Sequence, residues 1–304
     1  MSAIYTPDSA AGAACATIQI EVTTHHTLAD IRPSPIAGTW YPGSPEALNR
    51  AIDAYLAQAK PEPLEGEVVG LIAPHAGHRY SGQVAAHAFQ YLRGLQPEIV
   101  AVISPLHIPV PGQVLTSGHE AYSTPLGFIP VDQACVAYFA TALEELGGPR
   151  LETIRNDTEH SLEIELPFLQ RILGDRFRLL PIMLRDQTRA AAELVGHALA
   201  RSLADHNTIL VASSDLSHFY PQEVAHQLDQ QMLARVEAFD PEGVIEIEEQ
   251  GRGFACGRAA IAAVLWAAKD LGARRVRVVD YATSGDVTGD YASVVGYAAA
   301  VILR

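Results

Sequence analysis

The 304-residue chain is poor in cysteine and contains no long apolar run. Its three cysteines, Cys15, Cys135 and Cys256, are too few and too widely spaced for a disulfide framework, so we expect a reducing, cytoplasmic location. The first residues lack the basic-then-apolar layout of a signal peptide, and no apolar run approaches the roughly 20 residues that span a bilayer. We therefore expect no membrane association.

Basic residues are also scarce. The chain has 21 Lys and Arg against 35 Asp and Glu, which gives a formal net charge of -14 at pH 7. So acidic a chain repels phosphate backbones and anionic surfaces, and we expect no nucleic-acid partner. The remaining composition, 48% apolar and 18% charged, is typical of a chain that buries a large core.

Apolar runs rich in β-branched residues alternate with helical patterns through most of the chain. The runs expected to form strands are 68–73, 99–104, 177–184, 209–213, 276–281 and 293–303. The helical patterns lie at about 45–60, 81–93, 132–146, 160–173, 188–205, 222–239 and 257–271. This alternation favours an α/β fold in which helices cover both faces of a largely parallel sheet.

The domain organisation follows from the same alternation. Residues 31–304 show no internal repeat and no linker long enough to divide them, so we interpret them as one α/β domain. Residues 1–30 are richer in small residues, and we expect a flexible leader there. The alternating segment 17–24 is an alternative candidate for an added edge strand.

Side chains that bind metals or transfer protons follow three of the expected strands. His75 and His107 each follow a strand and lie 32 residues apart, the length of one strand–helix–strand unit, while Asp215 and His218 follow a third strand. Ligands of parallel sheets bind at the carboxyl ends of the strands. A single histidine there is more often an ordinary loop residue. Three coincident strand ends favour a site with two imidazoles within reach of one ion.

Cys256 is a second signal, because it lies at the start of the expected helix 257–271 and beside Arg258. A helix N-terminus and a neighbouring cation lower a thiol pKa, and the thiolate is the form that binds metals and attacks electrophiles. The alternative is a buried small apolar residue, the usual role of an unpaired cysteine. That alternative suits Cys15 and Cys135, whereas we favour the reactive interpretation for Cys256.

The expected helix 160–173 begins with an acidic turn. Glu159 and His160 precede its apolar stripe, so they are candidates to face the site from the first turn. The acidic residues of this turn, Glu163 and Glu165 included, alternatively form a solvated helix face, and we prefer that interpretation for Glu165. His78 is interpreted as a neighbour of the site rather than as a ligand.

Six ordered motifs resemble those of Memo-family proteins and together cover residues 32–303. They are Ala37-Gly38-Thr39-Trp40-Tyr41-Pro42, Ala73-Pro74-His75-Ala76-Gly77 with Tyr80-Ser81-Gly82, His107-Ile108-Pro109, Glu159-His160-Ser161 with Glu163 and Leu166-Pro167-Phe168, Ser213-Ser214-Asp215 with His218, and Cys256-Gly257-Arg258. The resemblance implies a three-layer α/β/α fold with a mostly parallel or mixed sheet, similar to class III extradiol dioxygenases.

The resemblance also implies a site and partners. The two histidines and the cysteine that line the Memo site fall on His75, His107 and Cys256, which implies iron or copper, with zinc less favoured. In bacteria and archaea the family implies a link to radical-SAM and AMMECR-type proteins, and the animal member is discussed as a signalling and motility effector. The family often has two adjacent histidines in the second motif, but Leu106 stands before His107 here.

Three functional hypotheses follow. The first is a redox-active or oxygenase-like metal protein with His75, His107 and Cys256 as ligands, His218 as general acid or base, and Asp215 or Glu159 orienting it. The second is a non-enzymatic binding or adaptor protein that keeps the pocket for a peptide, a metal or a partner enzyme. The third and weakest is a zinc hydrolase that uses Asp215 or His218.

Overall fold

A computed structural model describes residues 30–304. The expected edge strand at 17–24 and the leader before residue 30 lie outside these residues. Within residues 30–304, no helix combines the length and the apolar character needed to cross a membrane.

Helices and strands alternate through the described part of the chain. The helices are α1 (Pro45–Gln58), α2 (His78–Phe89), α3 (Gln133–Glu145), α4 (Leu166–Leu173), α5 (Arg189–Leu203), α6 (Gln222–Glu237), α7 (Pro241–Glu249), α8 (Arg258–Asp270) and α9 (Gly285–Thr288). The strands are β1 (Ile31–Arg32), β2 (Val68–Ala73), β3 (Ile99–Pro105), β4 (Val114–Ser117), β5 (Ala121–Thr124), β6 (Gly127–Pro130), β7 (Leu151–Ile154), β8 (Arg178–Leu184), β9 (Thr208–Ser213), β10 (His218–Tyr220), β11 (Arg275–Thr283) and β12 (Val294–Leu303). Short 3-10 turns cover Gln90–Leu92 and Glu163–Glu165.

The main sheet is mixed rather than wholly parallel. Its strand order is β10-β12-β2-β9-β3-β8-β4-β7, and β11 also pairs with β12. The central strands β2, β9, β3 and β8 run parallel, whereas β12 and β4 are antiparallel to their inner neighbours. A smaller sheet joins β1, β5 and β6. The four parallel strands therefore share one carboxyl edge at the centre of the sheet.

Helices cover both faces of the main sheet. Along β3, Ile99, Ala101 and Ile103 join an apolar cluster with α5 and α8, while Val100 and Val102 join a second cluster with α1, α2 and α4. This division follows from the strand geometry, in which successive side chains point to opposite faces. The arrangement confirms the expected three-layer α/β/α fold.

Side-chain caps mark the starts of α1, α3, α5 and α7, but the starts of α2 and α4 differ from expectation. Helix α2 begins at His78 rather than at 81. The Ser44 side chain accepts a hydrogen bond from the Ala47 backbone N–H, and Pro45 occupies the first turn of α1, as its sequence predicts. The expected helix 160–173 instead becomes regular only at Leu166, where α4 begins. The preceding residues 157–162 form a loop and a turn that lead into the 3-10 turn Glu163–Glu165, and side chains from elsewhere in the fold contact this segment.

Candidate metal centre

The carboxyl ends of β2, β9 and β3 bring the expected site residues together. His75 follows β2 and His107 follows β3, and β9 lies between the two strands in the sheet. The centroids of the two imidazole rings are 5.3 Å apart. The two strands are thus near neighbours rather than paired, and the predicted approach of the rings occurs.

A third histidine completes a compact group. His75, His107 and His160 each offer a ring nitrogen, and these atoms all lie within 4.8 Å of one another. The His160 ring stacks on the His107 ring with centroids 4.9 Å apart. His75 is buried and His107 is exposed, so the group opens towards solvent on the His107 side. Sequence reasoning placed His160 near the site but not among the ligands.

Glu159 orients two of the three rings. Its carboxylate accepts hydrogen bonds from the backbone N–H of His107 at 2.5 Å and from His107 Nδ1 at 3.0 Å, and His160 Nδ1 lies 3.3 Å away. The backbone N–H groups of His160 and Ser161 also donate to it, each at 3.0 Å. Burial opposes ionisation, but the hydrogen bonds from His107 and Ser161 hold the pKa of Glu159 below its usual range. With both Nδ1 atoms turned to Glu159, Nε2 is the nitrogen available to a ligand.

His75 is held by the loop that follows β9. Its backbone N–H donates to Asp215 Oδ1 at 2.7 Å, and its Nδ1 lies 3.0 Å from Ser213 Oγ. Burial lowers the pKa of His75 well below its usual value, and the nearby His160 and His107 add to the effect. Burial likewise lowers the pKa of His160 to about 4. Both rings are therefore neutral at neutral pH, which is the form that binds metals.

Cys256 reaches the same centre from the start of α8. Its Sγ lies 3.1 Å from His75 Nε2 and 3.5 Å from the Asp215 backbone oxygen. The close approach needs Gly257, because a Cβ there would lie 2.6 Å from the Ser213 backbone oxygen. The structure therefore places the sulfur beside His75, although Cys256 is not one of the three residues of the compact histidine group.

The expected activation of the thiol by Arg258 is wrong. The Arg258 guanidinium turns to Glu248 Oε1 at 3.0 Å and to the Gln187 backbone oxygen at 3.0 Å. Burial raises the pKa of the Cys256 thiol, and the nearby Asp215 raises it further. The local sequence shows that Arg258 lies beside Cys256 along the chain, but it does not show in which direction the Arg258 side chain points.

His218 and Asp215 lie close to the histidine group but not in the expected relation to each other. His218 Nδ1 lies 2.7 Å from the Leu216 backbone oxygen, and its ring packs against Phe254 with centroids 5.6 Å apart. Within residues 30–304, neither Asp215 nor Glu159 hydrogen-bonds to His218, so neither orients it as expected. Burial raises the pKa of Asp215 to about 7, although hydrogen bonds from the backbone N–H groups of His75 and Ala76 oppose the rise.

Glu165 is not on a solvated helix face, and that preference was wrong. Glu165 is 1% exposed, and its Oε1 lies 2.8 Å from Ser213 Oγ. Burial raises the pKa of Glu165 well above its usual value, and Asp215 raises it further. No sequence pattern marked this residue, since its partner Ser213 lies 48 positions away along the chain.

The donor set fits a transition-metal ion. Three imidazoles and a thiol are ligands that suit zinc, copper and iron, whereas calcium and magnesium prefer hard oxygen ligands. His75 Nε2 and Cys256 Sγ lie 3.1 Å apart, so these two atoms would hold an ion together with the other two rings.

Comparison with known proteins agrees with the motifs. Residues 32–301 match the Memo family, described as Memo-like protein. A MEMO1 family protein of Methanopyrus kandleri is 38% identical over 90% of this chain and 99% of its own length. Another from Nitrosopumilus maritimus is 36% identical over 88% of this chain and 98% of its own length. An uncharacterised Escherichia coli K12 protein of known crystal structure matches with a TM-score of 0.49 and 16% identity, covering 78% of this chain and 100% of that chain. The near-complete coverage by the relatives and by the family match shows that this chain belongs to the Memo family.

Proposed function

We propose that this chain binds a transition-metal ion through His75, His107 and His160, with Cys256 as a further ligand, for a redox or oxygenase-like reaction. The observation that carries the proposal is the compact group of three ring nitrogens within 4.8 Å of one another. Iron or copper is preferred and zinc is less favoured, because the family resemblance implies a redox metal; the imidazoles and the thiol suit all three metals. When bound, such an ion supplies Lewis-acid or electron-transfer chemistry.

The chain's own residues prepare this site. Glu159 fixes the rings of His107 and His160 through their Nδ1 atoms, and Ser213 contacts the Nδ1 of His75. Such second partners of ligating histidines typically change metal affinity about 10–100-fold when removed. The exposed side of His107 leaves a path for a substrate, while buried His75 excludes water from the opposite side.

We assign proton transfer to His218. The Leu216 carbonyl only accepts, so His218 must donate its Nδ1–H to it, and Nε2 is left as a free base. The ring is close enough that its charge would lower the pKa of His75. Asp215 contributes by holding the backbone of His75 rather than by orienting His218.

The proposal for partners and ligand rests on the family resemblance. We propose radical-SAM and AMMECR-type proteins as partners, and a small molecule or a peptide as the ligand. The alternative is a non-enzymatic adaptor that keeps the same pocket. A hydrolytic zinc site is a further candidate, because three histidines are a ligand set of catalytic zinc.

Anaerobic purification followed by elemental analysis tests the proposal. We expect stoichiometric iron or copper in the wild-type protein, and its loss in His75→Ala, His160→Ala and Cys256→Ser. The exposed His206 lies outside the site, so His206→Ala is the control and should keep the metal. Metal-free wild-type protein that still captures the partner proteins would overturn the proposal in favour of the adaptor. Zinc with esterase or amidase turnover would favour the hydrolase.

A further inference from the structure

We propose that Glu165 is a neutral, protonated carboxylic acid that acts through Ser213 to hold His75 in the tautomer with hydrogen on Nδ1. Glu165 is then a positioning residue for the candidate metal centre. The consequence for metal binding rests on the proposed function, whereas the tautomer itself can be measured without any metal.

Three short contacts converge on the Ser213 hydroxyl. Its Oγ lies 2.6 Å from the Ser161 backbone oxygen, 2.8 Å from Glu165 Oε1 and 3.0 Å from His75 Nδ1. Ser213, Glu165 and His75 are all buried, at 0%, 1% and 2% exposure. Each contact is within hydrogen-bond distance, so each needs one hydrogen between its two heavy atoms.

Counting hydrogens decides which group donates in each contact. The Ser213 hydroxyl has one hydrogen and two lone pairs, and the Ser161 carbonyl can only accept. The hydroxyl hydrogen therefore lies on the 2.6 Å contact with Ser161. Glu165 must then donate to Ser213, which requires a protonated carboxyl, and His75 must donate its Nδ1–H. An ionised Glu165 would leave one of the two oxygen–oxygen contacts without a hydrogen, in a place shielded from water.

The surroundings of Glu165 favour the neutral form. Asp215 is the charged group that faces it, and it has the same sign. The nearest contrast is Glu163, whose carboxylate receives hydrogen bonds from Arg32, Ser34 and Tyr41. Burial raises the pKa of Glu163 as well, but the charge of Arg32 and the hydrogen bonds from Ser34 and Tyr41 oppose the rise. The contact of Glu165 with Ser213, in contrast, lacks a hydrogen unless Glu165 supplies one.

The consequence concerns the ligand nitrogen of His75. With hydrogen on Nδ1, the lone pair lies on Nε2, the atom that is 3.1 Å from Cys256 Sγ. His107 and His160 turn their Nδ1 atoms to Glu159. All three rings then present Nε2 to the centre. His107 and His160 are oriented by the ionised Glu159, whereas His75 is oriented by the neutral Glu165, which adds no charge.

Nitrogen-15 NMR of metal-free, histidine-labelled protein at neutral pH measures the tautomer directly. We expect the Nδ1–H tautomer for His75 in the wild type and in Glu165→Gln, because an amide donates to Ser213 as the acid does. Ser213→Ala should lose this fixed tautomer. Difference infrared spectra should show a carboxylic-acid band that disappears in Glu165→Gln and persists in the exposed control Glu193→Gln. An Nε2–H tautomer in the wild type, or a spectrum without the Glu165 acid band, would overturn the inference.

Metal titration separates this inference from the proposed function. With Co²⁺ as the probe and its visible absorption as the signal, Glu165→Gln should bind within about threefold of the wild type, while Glu165→Leu should bind about 10–100-fold more weakly. Wild-type protein that binds no Co²⁺ but shows the expected tautomer would contradict the metal site alone. Tight Co²⁺ binding with equal affinity in Glu165→Leu would contradict the positioning role alone.

Discussion

Two buried polar clusters contain residues of the segment 157–165, and they differ in the charges that surround their acids. The ionic cluster consists of Arg32, Asp157 and Glu163, with Arg32 Nη2 2.6 Å from Asp157 Oδ1. The neutral chain consists of His75, Ser213 and Glu165. Glu163 and Glu165 are the same residue type, are two positions apart and are equally buried. Burial raises the pKa of both acids, but Arg32 opposes the rise at Glu163 whereas Asp215 adds to it at Glu165. Their difference teaches that neighbouring donors and charges, not burial alone, set the pKa of a buried acid.

The ionic cluster also shapes the loop that carries the site. Arg32 donates to the Glu159 backbone oxygen at 2.9 Å as well as to the two carboxylates. Hydrogen bonding to Asp157 raises the pKa of Arg32, although burial acts in the opposite direction. The arginine thereby holds the segment in the conformation that presents Glu159 and His160 to the centre.

Arg32→Met should give the largest effect, because it leaves two carboxylates buried without a counter-charge. We expect the free energy of unfolding to fall by about 3–5 kcal/mol in urea titrations. Arg304 forms an exposed pair with Glu67, so the control Arg304→Met should change it by less than about 1 kcal/mol. Equal effects in the two variants would mean that the ionic cluster contributes no more than a surface pair.

Glu163→Gln should give an intermediate effect. The amide keeps the shape of the side chain but removes the negative charge that accepts hydrogen bonds from Arg32, Ser34 and Tyr41. Hydrogen bonds to charged groups contribute about 1.5–3 kcal/mol each. Burial raises the pKa of Glu163, which offsets part of this loss, so we expect a fall of no more than about 1.5–3 kcal/mol in the free energy of unfolding near neutral pH. Glu165→Gln, measured beside it, should not destabilise the protein. A similar loss in both variants would remove the contrast between the two acids.

The pH dependence of Glu165→Gln sharpens the same contrast on a smaller scale. The pKa of Glu165 is raised in the folded protein, so the folded state holds this proton after the unfolded state has released it. Its contribution to stability is therefore fully present below the unfolded pKa of about 4.3 and declines as the pH rises towards the folded pKa. Relative to the wild type, Glu165→Gln should gain up to about 1.4 kcal/mol per pH unit over that window.

Paired urea titrations at several pH values between about pH 5 and pH 8 measure this difference. Parallel wild-type and variant stability curves would show that Glu165 exchanges no proton on unfolding. The exposed Glu193→Gln should run parallel to the wild type and provides the control.

The central strands were predictable because their signal is local. The runs expected at 68–73, 99–104 and 209–213 correspond to β2, β3 and β9, with ends that differ by at most one residue. Apolar β-branched runs this long are buried on both faces in nearly any α/β sheet. The short strands between residues 114 and 154 were missed, because they are only four residues long and depend on pairing with distant strands.

The residues of the candidate site also divide into those that local sequence predicts and those that depend on tertiary contacts. His75 and His107 were found because each follows a strand whose carboxyl end is fixed by the sheet. His160 was expected to face the site, as it does, but not to be a ligand. Glu165 was misjudged because the helical pattern was extended over a segment whose conformation depends on contacts with Arg32 and Glu159. The direction of the Arg258 side chain, which turns to Glu248, has no local signal at all.

The sequence by itself determined the alternation of strands and helices, the motifs of the family and two imidazoles at one edge of the sheet. Only the tertiary structure showed that His160 is the third imidazole of the group, that Glu165 is buried and in which direction the pKa of each buried acid shifts. The physical reason is that hydrophobic periodicity is written in neighbouring residues. Ionisation and ring orientation instead depend on donors and acceptors that the fold brings together from distant parts of the chain.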